Sequence, residues 1–164
     1  MPVELVNGHV LLPHYPDWTR KVQRTRAWQT SVDRTLTGFE ARAALRPKAR
    51  ERLTFRVESW NPDDLVRLLA RVDAALKAGL GCCPGWGRGI PLTTAGGTEV
   101  RLSRPAWDDV QAGSYLFLAE PDDGEGFEVG EVAELHGAVI TLTEALAGVW
   151  GAGAWAWPLL FGRP

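Results

Sequence analysis

Between Ala41 and Val57 the chain reads ARAALRPKARERLTFRV, and its six cations, Arg42, Arg46, Lys48, Arg50, Arg52 and Arg56, all stand at even positions. The odd positions include Ala41, Ala43, Leu45, Pro47, Ala49, Leu53, Phe55 and Val57. A helix would scatter a period of two around its circumference, whereas a strand puts the charges on one face and the apolar residues on the other. The pattern predicts one long strand with a wet basic face, with Pro47 at an edge or bulge. Thr37-Gly38 predicts a hairpin turn that joins it to RKVQRTRAWQTSVDRTL, residues 20 to 36, which is rich in Thr, Val, Arg and Trp and lacks a 3.6 period. A capping box from Thr37 to Glu40 is the other local reading, but a helix begun there meets Pro47 after barely two turns.

One helix is written clearly. Asn61 suits an N-cap, Pro62 the first helical position, and Asp63 and Asp64 the first turn, where the positive end of the helix dipole favours carboxylates. Leu65, Leu68, Leu69, Val72 and Leu76 follow in one apolar stripe, and Gly79 is a natural stop. The stripe is expected to be core, with the helix lying across the sheet of the preceding strands.

Gly79 to Gly97, GLGCCPGWGRGIPLTTAGG, holds seven glycines and two prolines and reads as a linker. After it, TEVRLS, SYLFLAE, FEVGEVAEL, AVITLTEAL and AWAWPLLFG alternate with turn residues, notably Pro121-Asp122-Asp123-Gly124 and His136-Gly137. Short runs at that spacing predict a small antiparallel barrel or sandwich. The expected fold is thus mainly β within the α+β class: residues 1–80 as an antiparallel sheet with one helix, 81–97 as linker, and 98–164 as the small barrel.

A chain of 164 residues with 45% hydrophobic and 23% charged residues has enough apolar matter for a packed core and too little charge bias for disorder. Ala145 to Gly162 is uncharged, but its glycines, proline and three tryptophans rule out a spanning helix. The N-terminal residues lack a secretory leader pattern, so a cytoplasmic origin is expected. Cys82 and Cys83 are adjacent, which suits neither a disulfide framework nor a CxxC site. His9, His14 and His136 sit in no metal-ligand or catalytic spacing. The cluster Asp122, Asp123, Glu125, Glu128 misses the calcium-loop spacing and reads as a solvated turn. No enzyme, cofactor or metal site is expected.

Net charge is −2, unevenly placed: residues 1–89 carry 15 Lys/Arg against 9 Asp/Glu, and residues 90–164 carry 3 against 11. That asymmetry suggests two modules, or complementarity between copies packed head to tail. Eight tryptophans, with Trp86, Trp107, Trp150, Trp155 and Trp157 in the second half, raise a carbohydrate-stacking platform as an alternative. Trp155 and Trp157 share one strand face, which suits the filling of a barrel interior better. The basic row raises nucleic-acid binding as a further alternative. It lacks the interleaved aromatics on which bases would stack, so nucleic acid is disfavoured.

The stretch from Trp28 through RTLTGFEARAALRPKARERLTF to Phe55 resembles a segment common in tail proteins of long-tailed phages and their prophages: a Trp-led strand, Gly-x-Glu-x-Arg, an apolar-Arg step and a final β-run. Its signature falls on Gly38, Glu40, Arg42, Leu45 and Arg46. The second half, with PGWGRGIPLTTA and the closing AWAWPLL, is similar to the barrel that follows in such proteins. This chain departs in having Gly85 where the family has Leu between Pro and Trp, and in the position of Pro47. The resemblance implies a virion component at the distal end of a tail tube, made in the host cytoplasm. Such distal-tail or tail-tip adaptors form rings of their own copies and join tube to tip or hub proteins without chemistry. Interface residues implied by it and by the basic row are Gly38, Glu40, Arg42, Arg46, Lys48, Arg50, Arg52 and Trp86.

Overall fold

A computed structural model describes residues 4–17, 19–27, 30–34, 40–44, 50–57, 61–120 and 126–162. Among the described residues the chain forms thirteen strands and one helix. In order these are β1 (Leu5–Val6), β2 (His9–Leu11), β3 (Gln23–Ala27), β4 (Thr30–Arg34), β5 (Glu40–Ala44), β6 (Arg50–Thr54), α1 (Pro62–Ala78), β7 (Gly81–Pro84), β8 (Ile90–Gly96), β9 (Glu99–Leu102), β10 (Tyr115–Ala119), β11 (Phe127–His136), β12 (Val139–Leu142) and β13 (Trp155–Gly162).

The five expected C-terminal runs become β9 to β13, and with β8 they close a six-stranded antiparallel barrel in the order β8-β9-β12-β11-β10-β13, with β13 returning to β8. Alternation explains its filling: Leu116 and Leu118 of β10, Ile140 and Leu142 of β12, Ala154 just before β13 and Ala156 within it point inward and are buried. Each buried Leu or Ile contributes about 1.5–3 kcal/mol. Bulges between Leu92 and Thr94 and between Val132 and Glu134 bend β8 and β11 enough to close so narrow a barrel. β8 comes from residues expected to be linker; the alternation of buried Ile90 and Leu92 with half-buried Pro91 shows why those glycines bound strands rather than replace them.

β13 runs past the barrel and changes partner. Trp155 and Ala156 pair with β8, while Leu159 to Gly162 pair with β7. Pro158 stands at the change, its carbonyl accepting from the Gly85 N–H at 2.8 Å. β7 pairs in parallel with β2, and β2 pairs with β1. A parallel pair needs a crossover, and the chain between β2 and β7 carries both α1 and, before it, a separate compact unit.

That unit corrects the expected organisation. The contacts group Met1–Tyr15 with Ser59–Pro164, and Pro16–Glu58 by itself. The helix therefore belongs with the barrel, against β2 and β7, and not with the strands before it. Within Pro16–Glu58 β4 pairs antiparallel with β5, in a register that puts Arg34 opposite Glu40, while the turn expected at Thr37-Gly38 lies outside the described residues. Of the expected strand from Ala41 to Val57, Glu40–Ala44 pairs as β5 with β4 and Arg50–Thr54 pairs as β6 with β3, so its two described parts stand in different sheets. Pro47, with its expected edge or bulge, lies outside the described residues. The period of two survives in the later part, where Arg52, Thr54 and Arg56 are exposed and Leu53, Phe55 and Val57 half-buried.

The helix has the predicted ends. Asn61 Oδ1 accepts from the Asp63 N–H at 3.0 Å, and Gly79 takes the left-handed φ of +66°. Its apolar stripe is not core, contrary to expectation. Ala75 alone is fully buried in α1, whereas Leu65, Leu69 and Leu76 are 45%, 58% and 60% exposed. The helix rests on only two short strands and meets them along Ala75, whose Cβ would lie 3.6 Å from a Cβ built on Gly81. Close approach through small residues sets that face, and the larger leucines turn aside.

Candidate functional surface

Of the residues expected at an interface, Glu40 and Arg42 fall on β5, and Arg50 and Arg52 on β6. The two pairs stand in different two-stranded sheets. Gly38, Arg46 and Lys48 lie outside the described residues. Trp86 is placed against expectation. It is 2% exposed, enclosed by Tyr15, Phe117 and Trp157 with ring centroids 4.7, 5.9 and 5.3 Å away, so its indole is used within the chain.

This aromatic cluster also revises the expected role of the tryptophans. Trp155 and Trp157 do share a face of β13, stacked with centroids 6.1 Å apart, but Ala154 and Ala156 are the residues that point into the barrel. The tryptophans lie on the outside of the wall, where the loop after β7 covers Trp157. Gly89 makes that cover fit: a Cβ there would come within 2.5 Å of Trp157 Nε1 and 2.8 Å of Trp155 Cε3. The same loop is tied down by Arg88, whose guanidinium pairs with Asp109 and whose carbonyl accepts from Trp107 Nε1 at 2.6 Å. A sugar-stacking platform would need these rings open to water.

The second half offers an acidic groove of about 410 Å³. Glu4, Glu128, Glu131 and Glu144 line it beside Phe127 and Leu146, and no Lys or Arg among the described residues does. Glu128 is the organised member. Its Oε1 accepts from the Ala147 and Gly148 N–H groups at 2.7 and 3.1 Å, and its Oε2 from Trp150 Nε1 at 2.6 Å. It therefore works as a clamp on the loop before β13 and not as part of a solvated turn; Asp122, Asp123 and Glu125 lie outside the described residues. Glu131 accepts from the Tyr115 hydroxyl at 3.1 Å. Sequence reasoning missed this groove because positions 4, 128, 131 and 144 are brought together by the sheet alone. The negative charge of the second half was the one signal.

Charge follows the structural units. Pro16–Glu58 carries 11 Lys/Arg against 5 Asp/Glu, net +6, and the remainder carries 7 against 15, net −8. The intervening residues 59–89 and the N-terminal strands add nothing net, so the asymmetry belongs to the inserted unit and the barrel.

The thiols stand apart from all this. Both lie on β7; burial pushes Cys82 up to about 12, with Cys83 and Glu4 adding to it, and burial pushes Cys83 up to about 11. Both are protonated at neutral pH and are poor nucleophiles. Among the described residues no group of three His, Cys, Asp or Glu is arranged to hold a metal, and no helix is long and apolar enough to cross a membrane. No protein-family model matches the sequence, and no curated protein matches it.

Proposed function

We propose that the chain is a structural subunit of a phage or prophage tail, acting in the distal-tail or tail-tip ring that joins tail tube to tip proteins. Its task is assembly. The observation that carries this reading is the segregation of charge, +6 on the inserted unit and −8 on the barrel unit. A contact between the basic unit of one copy and the acidic barrel groove of the next uses two different surfaces, and a heterologous contact of this kind closes into a ring when its rotation allows. Arg42, Arg50 and Arg52 supply the basic side, and Glu4, Glu131 and Glu144 the acidic side. Complementary charge sets partner and register more than affinity. The resemblance in Trp28 to Phe55 supplies the tail assignment.

Negative-stain imaging of the protein at low ionic strength, alone and mixed with tail-tube and tip proteins, tests it. Rings are expected, and Arg50→Glu with Arg52→Glu should abolish them. Dispersed particles in every mixture would sink the reading. The burial of Trp86 and Trp157 weighs against carbohydrate binding. Nucleic-acid binding that weakens steeply with salt would favour that rival instead.

A further inference from the structure

Four of the eight large hydrophobic residues exposed among the described residues lie on the outer face of α1. Leu65, Leu69 and Leu76 are joined there by Val66 at 65% exposure and by half-buried Leu68 and Val72. Leu65, Leu69, Val72 and Leu76 are spaced +4, +3, +4, which is the seam of a two-stranded coiled coil. Nothing in the barrel needs that spacing, since the helix packs through Ala75.

We infer that this face is a docking site for a second copy of the same helix, run antiparallel about a two-fold axis near residues 70 and 71. The seam is self-complementary about that axis: Leu65 meets Leu76 of the second copy, and Leu69 meets its Val72. Charge selects the direction. The helix begins with Asp63 and Asp64 and ends with Lys77. An antiparallel pair brings each acidic start beside the other copy's basic end and opposes the helix dipoles, whereas a parallel pair stacks like charge on like. Lys77 now pairs with Asp73 at 2.6 Å with both side chains largely exposed, so re-pairing costs little.

Size sets the strength. A helix of 17 residues is about 25 Å long, and one seam of that length buries less than the about 800 Å² per partner of a standard stable interface. The dimer is therefore concentration-dependent. This contact is independent of the tail assignment and differs from the charge-driven one in its response to salt: at about 1 M salt the Debye length is ~3 Å, so exposed ion pairs are screened while apolar burial persists.

Sedimentation analysis of the full chain at about 1 M salt, over concentrations up to the ~100 µM range, tests the inference. A dimer that grows with concentration is expected, and Leu69→Glu should weaken it at least about tenfold with an unchanged circular dichroism spectrum, because the position is exposed. Direction is read by mixing Leu65→Cys and Leu76→Cys chains under mild oxidation: the mixed disulfide should exceed either homodimer. The native thiols, both strongly resistant to ionisation, should give no cross-link in the unsubstituted chain. A monomer throughout, a dimer indifferent to Leu69→Glu, or a predominant Leu65→Cys homodimer would each overturn it. Loss of rings at high salt with the dimer retained would support the helix contact, because only the charge-driven one is screened.

Discussion

Glu128 shows how one side chain can organise a loop. Both carboxylate oxygens are used, by two backbone N–H groups and an indole N–H, in a stretch rich in Gly and Ala that has little apolar matter to hold it. Glu128→Ala removes the acceptor for all three donors, and a lost partner of this kind costs about 1–3 kcal/mol where water does not replace it. Faster hydrogen exchange at the Ala147 and Gly148 amides is expected, with the β12 amides unchanged. Equal acceleration across the barrel would mean that Glu128 supports the whole fold instead. Its role was not legible from the sequence, where the residue ends an acidic run and resembles its neighbours. The clamp depends on β11 and the loop before β13 coming together across 20 residues of chain.

At the scale of elements, local rules set the kinds of structure and left their orientation open. The ends of α1 follow from Asn61, Pro62 and Gly79, each through its own backbone, so they could be read directly. Replacing Gly79 by Ala, at φ +66°, should lower stability by about 1 kcal/mol, visible as a lower urea midpoint; no change would mean that the cap is not strained. The direction of the leucine stripe could not be read, because the hydrophobic period says that a face is apolar, not that a surface wide enough to cover it lies beneath. β2 and β7 are narrow, and Ala75 with Gly81 gave the closest fit. β13 shows the same limit: alternation placed Trp155 and Trp157 on one face, but which face was the inside depended on the width of the barrel, which admits Ala154 and Ala156.

For the molecule as a whole, His14 couples segments distant in the chain. It is half-buried in the stretch after β2, its Nδ1 has no hydrogen-bond partner, and Arg71 and Asp64 of α1 act on it. Burial holds its pKa below the ordinary 6.5, with the Arg71 cation adding to the shift and Asp64 opposing it. The unfolded chain then binds the proton more readily, so stability present above pH 6.5 is lost as the pH falls toward the folded-state pKa. The urea midpoint should fall from about pH 7 to about pH 5, and less so in His14→Gln; equal slopes would remove His14 as the cause. By itself the sequence determined the β-rich class, the single helix with both its ends, five of the six barrel strands and the imbalance of charge, because those rest on local period, turn chemistry and composition. Only the tertiary structure decided that β8 completes the barrel, that residues 16–58 form an insertion carrying the positive charge, and that the leucines of α1 face outward. Each of those depends on which distant segments pack together, and such partners are chosen by hydrogen bonds and packing that no local pattern records.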